Sequence, residues 1–203
     1  MKPVLPIWRG ETAVCIGGGP SLKAEDVAFV RGRARVIAIN DAVKLAQWAD
    51  VLYVADRSFI DAHDGMPRFA GLKYSLSSSN PTDRPDWTVL DNTGMFGLET
   101  DPSGLRTGFN GGYQSLGLAY HLGAKRCLLL GFDMKLSADG REHWFTDTPD
   151  RKRSPYPQMI AAFDSIVEPL KDDGVDVVNC TPGSALSCFP KMLLRDALQV
   201  VEA

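Results

Sequence analysis

The chain alternates short, nearly continuous apolar runs with segments whose apolar residues recur every three or four positions. The runs are Thr12–Ile16, Arg35–Ile39, Val51–Ala55, Leu72–Leu76, Thr88–Leu90, Arg126–Leu130 and Val175–Val178, most of them rich in Val, Ile, Leu and Cys. A strand covered on both faces has no solvent side to alternate toward, so such runs predict the buried strands of a parallel sheet. Between them, Leu22–Val30, Asp41–Trp48, Gly112–Leu122 and Pro157–Asp172 predict helices. The clearest carries Met159, Ala162, Phe163, Ile166, Val167 and Leu170 as one stripe between Pro157 and Gly174. The alternation of strand and helix predicts an α/β, Rossmann-like fold with a mostly parallel sheet and helices on both faces. Ser77–Asp86 and Thr93–Phe109 break the rhythm, being rich in Ser, Pro, Gly and Asp, and predict surface loops. The second is long enough to be a binding loop or lid rather than a plain excursion, and lid or insertion loops are expected near 77–110 and 134–156.

Length and composition fit one globular domain over residues 1–203. At 44% hydrophobic and 23% charged residues, the chain is neither disordered nor collagen-like nor a coiled coil. A net charge of −3 and a pI of 5.6 argue against a surface built for nucleic acid. Cys15, Cys127, Cys180 and Cys188 lack metal-ligand spacing, and the first three fall in apolar runs, as reduced core thiols do. The start, MKPVLPIWRGE, has no signal-peptide apolar core, and no stretch approaches the ~18 apolar residues of a membrane span. A cytoplasmic protein is expected, and a homo-oligomer is compatible with the composition.

Candidate chemistry begins at AVCIGGGPSLKAED, where a strand runs through Gly17, Gly18, Gly19, Pro20 and Ser21 into a helix. Glycines let a backbone approach a ligand closely, and free amides at a helix start favour a phosphate. Gly17 and Gly19 satisfy part of the GxGxxG dinucleotide fingerprint, but Leu22 occupies the third glycine position and no Gly-Lys-Ser/Thr follows. A standard NAD enzyme and a Walker-type NTPase are thereby disfavoured. A tight turn capped by Ser21 is the plainer alternative. Further strands end in Asn40-Asp41, Asp56-Arg57 and Gly131-Phe132-Asp133. In a parallel sheet the carboxyl ends share one rim, so these groups and the glycine turn should converge on one crevice. Asp41 and Asp133 can each serve instead as a helix cap.

A second candidate site is Asn110-Gly111-Gly112, where Asn110 can cap a helix whose first amides the glycines expose. Close packing of that helix on the sheet is the alternative. His121, in the last turn of the same helix, suits a dipole partner better than a catalyst, and His63 falls in a short helix before Gly65. His143 differs, because it stands in a polar loop after the Asp133 strand end with Trp144 and Phe145 beside it. An imidazole there can accept a proton from a hydroxyl, and the aromatics can stack on a base or sugar or simply anchor the loop. The run Arg151-Lys152-Arg153 can close over phosphates or remain a solvated face.

The combination of GGGPSL, IND, NGGYQSLGLAYHLGAKRCLLLGFDM and TPGSAL, spread over Ala13 to Leu186, resembles the sialyltransferase-like Rossmann-variant family. That family includes bacterial CMP-sialic-acid-dependent sialyltransferases, motility-associated flagellin-modification factors and archaeal-type 6-hydroxymethyl-dihydropterin pyrophosphokinases. Small phage and prophage members with a GxGPSL start and an HWF-type loop are the most similar. The resemblance implies that Gly17 to Ser21 line nucleotide phosphate and ribose, that Asn40 contacts the nucleotide, and that Gly111 and Gly112 border the donor. Gly18 stands where the family has asparagine, Asn110-Gly111 where it has Thr-Ser, and Lys135 where a tyrosine assists the leaving phosphate.

Three functions follow as expectations. The first is a transferase of glycosyltransferase type, taking a CMP-sugar or similar nucleotide-sugar donor and a small or glycan acceptor. His143 would be its base, Lys135 would offset leaving-group charge, and no cofactor or metal would be required. The second is a pyrophosphokinase using ATP and Mg²⁺ held by Asp41, Asp56 and Asp133. The third is a phage-type accessory protein that keeps the fold without turnover.

Overall fold

The computed structural model describes residues 2–77, 83–145 and 153–199. Among them, eight strands form one sheet: β1 (Thr12–Ile16), β2 (Arg35–Ile39), β3 (Val51–Val54), β4 (Leu72–Leu76), β5 (Trp87–Asn92), β6 (Gly104–Leu105), β7 (Arg126–Leu130) and β8 (Asp176–Asn179). Their spatial order is β6-β5-β4-β3-β2-β1-β7-β8, and every ladder between them is parallel. The chain therefore walks outward from β1 to one edge, returns, and lays β7 on the other side of β1. Strand order reverses between β1 and β7, and in open α/β sheets the crevice at that reversal is where ligands bind.

Alternate residues of each strand feed two cores. Ala13, Cys15, Ile37, Ile39 and Tyr53 pack on one side, with residues of α3 (Gly111–His121), α4 (Tyr156–Asp164) and α5 (Val167–Asp172). Val14, Ile16, Val36, Ala38 and Leu52 pack on the other, with α1 (Ala24–Val30), α2 (Arg57–Ala62) and α6 (Leu194–Gln199). The sheet is thus covered on both faces, which is why its strands carry no polar alternation. Cys15, Cys127 and Cys180 are buried and Cys188 is partly buried, all as free thiols. No helix among the described residues is long and apolar enough to cross a membrane.

Several elements differ from the sequence expectation. The helix expected over 157–172 is two helices, α4 and α5. Pro169 lacks the N–H that would bond the carbonyl of Ser165, and its ring crowds that carbonyl. Ser165 Oγ donates instead to Ala162 O at 2.6 Å and accepts from Gly97 N at 2.8 Å. The helix expected over 41–48 is a short 3-10 turn, Asn40–Lys44, entered from an Asn40 backbone at φ 48°. The loop expected over 93–109 supplies β6, paired to Asp91 and Asn92 of β5. α6 has no counterpart among the expected helices.

Candidate functional site

The glycine loop and the end of β7 lie against each other at the β1/β7 reversal. Gly17 N donates to Leu130 O at 2.8 Å and Gly19 N to Gly131 O at 2.9 Å. A Cβ on Gly19 would press into the Asp133 carboxylate and lie 2.7 Å from Gly131 O. The glycine is therefore required by close backbone approach, and neither Gly17 nor Gly19 occupies the left-handed region. Asp133, 5% exposed, holds the loop from the other side: its carboxylate accepts from Ser21 N at 3.2 Å and from Ser21 Oγ at 3.0 Å. Burial raises the Asp133 pKa, against the Ser21 hydrogen bonds and the Lys135 charge, which lower it.

Next to this loop, α3 starts at Asn110, whose side-chain oxygen accepts from Tyr113 N at 2.9 Å. The amides of Gly111 and Gly112, in the first turn, have no intrahelical acceptor. Both glycines are also required by packing, since a Cβ would lie 2.9 Å from Ile39 Cγ2 at Gly111 and 2.7 Å from the Phe132 ring at Gly112. Close helix packing therefore accounts for both glycines, and their first-turn amides are the ones a helix leaves without an intrahelical acceptor.

Between the loop and the helix lies a cleft of about 220 Å³. Gly17, Gly18, Gly19, Asn40, Asp41 and Asp133 border it on the strand-tip side, and Asn110, Gly111 and Gly112 on the helix side. Asn40 Oδ1 is buried with no hydrogen-bond partner, and the Asp41 carboxylate pairs with Lys44. Among the described residues five non-glycine residues have positive φ, and three of them, Asn40, Phe109 (φ 62°) and Met134 (φ 51°), line this one cleft. Backbone strain of that kind costs about 1–3 kcal/mol per residue and collects where a site fixes side-chain direction.

The loop after β7 closes one side. Trp144 N donates to Gly18 O at 3.1 Å, and His143 Nδ1 lies 3.3 Å from the same carbonyl. A carbonyl only accepts, so this contact assigns the proton to Nδ1 and leaves Nε2 as the basic nitrogen of the neutral ring. The His143 and Phe145 rings stack in parallel, 4.9 Å apart and 5° from coplanar. The pair sits over Gly18, where a Cβ would lie 3.4 Å from His143 Nδ1.

The structure does not bring every candidate to the cleft. Asp56 is exposed and caps α2, accepting from Ser58 N at 3.0 Å and Ser58 Oγ at 2.8 Å. Lys135 is exposed and its ammonium lies beside Gly183, outside the cleft lining. Pro20 and Ser21 lie behind the lining, Ser21 acting through Asp133. His121 is buried with Nε2 3.1 Å from Gly104 O, and burial lowers its pKa. His63 Nδ1 lies 3.0 Å from Phe59 O. Arg153 is exposed, while Arg151 and Lys152 lie outside the described residues.

Sequence reasoning missed part of the lining: Glu142, Phe109, Ser154, Tyr156 and, as a lining residue, Met159. Glu142 is a buried carboxylate that accepts from Ser154 N at 2.9 Å. A single glutamate in a polar loop gives no sequence signal of this. Met159 lies on the helix stripe that faces the core, and its place at the cleft depends on how α4 crosses the sheet end.

No protein-family model matches the chain, and no curated protein matches it in sequence. Among solved structures, the sialyltransferase CstII from Campylobacter jejuni, in complex with a substrate analogue, cytidine-5'-monophosphate, matches with a TM-score of 0.54. The identity is 13%, and the match covers 91% of this chain and 85% of that one. A D-allulose 3-epimerase from Methylomonas matches at 12% identity over 88% of this chain and 53% of that one, with a TM-score of 0.23, which carries no argument. The chain thus has the α/β, Rossmann-like fold of a sialyltransferase, with an all-parallel sheet and a cleft at its strand-order reversal.

Proposed function

We propose that the protein is a nucleotide-binding transferase of glycosyltransferase type, with a CMP-sugar or a similar nucleotide sugar as donor. The observation that carries this reading is the cleft lined by both the glycine loop and the first turn of α3, with the buried, unpaired Asn40 Oδ1 at its rim. Amides at a helix start suit an anion. An unpaired buried acceptor costs about 1–3 kcal/mol, a cost removed when a ligand N–H or O–H donates to it. Phosphate on the amides and a base or ribose donor on Asn40 satisfy both. The similarity of fold to a sialyltransferase solved with cytidine-5'-monophosphate supports the choice of nucleotide.

In this reading the acceptor hydroxyl oxygen attacks the sugar's anomeric carbon while the bond from that carbon to the phosphate oxygen breaks. The hydroxyl proton passes to His143 Nε2, and the electron pair leaves with the nucleotide monophosphate. Negative charge developing on the leaving phosphate is met by the amides of Gly111 and Gly112 and the α3 dipole. Lys135, outside the lining, contributes its field only. The scheme uses no metal. The pyrophosphokinase alternative needs Asp41, Asp56 and Asp133 as a cation site, yet Asp41 pairs with Lys44, Asp133 binds Ser21, and Asp56 caps α2 outside the cleft.

A thermal-shift panel tests the proposal, because a ligand that binds only the folded chain raises its midpoint. CMP or a CMP-sugar stabilises the protein without added metal. Stabilisation by ATP only in the presence of Mg²⁺ transfers the assignment to the kinase, and no response to any nucleotide leaves the accessory-protein reading. His143→Ala then lowers sugar transfer at least ~100-fold with CMP binding retained; unchanged transfer removes His143 from the mechanism.

A further inference from the structure

The loop between β5 and β6 places two large apolar side chains in water beside the cleft. Met95 is 53% and Phe96 42% exposed. They are not loosely placed. Gly108 N donates to Met95 O at 3.0 Å and Thr107 N to Gly94 O at 2.8 Å. Arg106 Nη1 donates to Phe96 O at 2.8 Å, and Tyr113 OH to Gly97 O at 2.6 Å. Gly97 N donates to Ser165 Oγ at 2.8 Å. A backbone held by this many bonds keeps both side chains outward although each would gain by burial.

The pair is continuous with the cleft. The Phe96 ring meets the Phe109 ring edge-on, with centroids 5.5 Å apart, and Phe109 lines the cleft. Phe109 is at φ 62°, a conformation an aromatic residue adopts at a cost. The same cleft is lined by the apolar or aromatic side chains of Met134, Tyr156 and Met159 as well as by the amides and polar tips assigned above to the nucleotide. The cleft therefore combines amides suited to an anion with apolar lining, and through Phe109 that lining continues outward to Phe96.

We infer that Met95 and Phe96 form an outer subsite for an apolar aglycone on the acceptor, an aryl or alkyl group attached to the sugar that receives the transfer. The inference rests on the transferase reading and adds to it the chemical class of the acceptor. Phe109 joins this subsite to the reaction centre, so an acceptor spanning both places its hydroxyl in the cleft and its apolar group on the Phe96 face.

The test compares phenyl and methyl β-glycosides of glucose, galactose and N-acetylglucosamine. Their dissociation constants are measured by saturation-transfer NMR on protein with saturating CMP and on protein without nucleotide. For at least one sugar the phenyl glycoside binds about tenfold tighter, as expected when roughly 55 Å² of apolar surface leaves water. Replacing Met95→Ser and Phe96→Ser together reduces that preference below about threefold, while the thermal midpoint and the CMP response stay as in the wild type. Phe96→Tyr, which keeps a ring in place, retains the preference. Equal affinity of the two glycosides for the wild-type protein, undetectable binding of every phenyl glycoside, or a preference that survives the double substitution overturns the inference. Failure of CMP to stabilise the protein refutes the transferase reading instead, and the nucleotide-free arm still scores the apolar subsite separately.

Discussion

Asp133 offers the sharpest test of how the glycine loop is held. Its carboxylate receives two hydrogen bonds from Ser21, at 3.2 Å from the amide and 3.0 Å from the hydroxyl, at a position only 5% exposed. Hydrogen bonds to a charged group contribute a net of about 1.5–3 kcal/mol each in typical settings, and here burial opposes them strongly enough to raise the pKa. Asp133→Ala removes both acceptors and strands the Ser21 amide, for a loss of about 2–4 kcal/mol. Asp133→Asn behaves differently. The amide oxygen accepts from Ser21 N, the Ser21 hydroxyl turns to accept from the new NH₂, and no charge is buried. The asparagine variant should therefore lie within about 1 kcal/mol of the wild type at pH 7. The sign with pH is fixed by linkage. A carboxyl whose folded pKa is raised stabilises the fold below its unfolded value near 3.8 and loses that contribution as pH rises through the folded value. The stability of Asp133→Asn relative to the wild type should thus increase from pH 4 to pH 7. Urea unfolding of all three proteins across that range measures it. If the asparagine variant loses as much as the alanine variant at pH 7, the charge itself is needed and the latch argument fails.

Other outcomes follow from the same geometry. Gly19→Ala forces a methyl onto the Asp133 carboxylate and Gly131 O and should cost about 1–3 kcal/mol in urea unfolding, whereas Gly18→Ala, with nothing nearer than 3.4 Å, should unfold like the wild type. Equal losses would sink the packing account of the loop. Asn40→Gly removes both the positive-φ strain and the buried unpaired oxygen, so stability should rise by about 1 kcal/mol while the CMP dissociation constant weakens; tighter CMP binding would contradict the role given to Oδ1. Burial pushes the Cys15 and Cys180 thiols up to about 12 and holds Cys127 well above the usual thiol value. A thiol reagent at pH 8 should leave these three unmodified in the folded protein, with full labelling only in denaturant, as mass spectrometry would show.

The sequence by itself determined seven of the eight described strands, the fold class and the convergence of Gly17–Gly19, Asn40 and Asp133 on one rim. Continuous apolar runs alternating with helices permit little besides a covered parallel sheet, and parallel strands place their carboxyl ends on one edge. Strand order is set by long-range pairing, and local pattern does not encode it. The tip of β3 lies two strands from β1, about 10 Å at the usual strand spacing, so Asp56 follows the same strand-end rule as Asn40 and still falls outside the cleft. Side-chain direction is equally hidden: Lys135 is two residues from Asp133, yet its ammonium lies beside Gly183. The break at Ser165 was available in Pro169, whose missing N–H conflicts with the apolar periodicity around it. Glu142, Phe109 and the exposed Met95–Phe96 pair depended wholly on loop path. Loops follow the hydrogen bonds they find on the finished scaffold, so what such residues touch is decided only once the sheet and helices are in place.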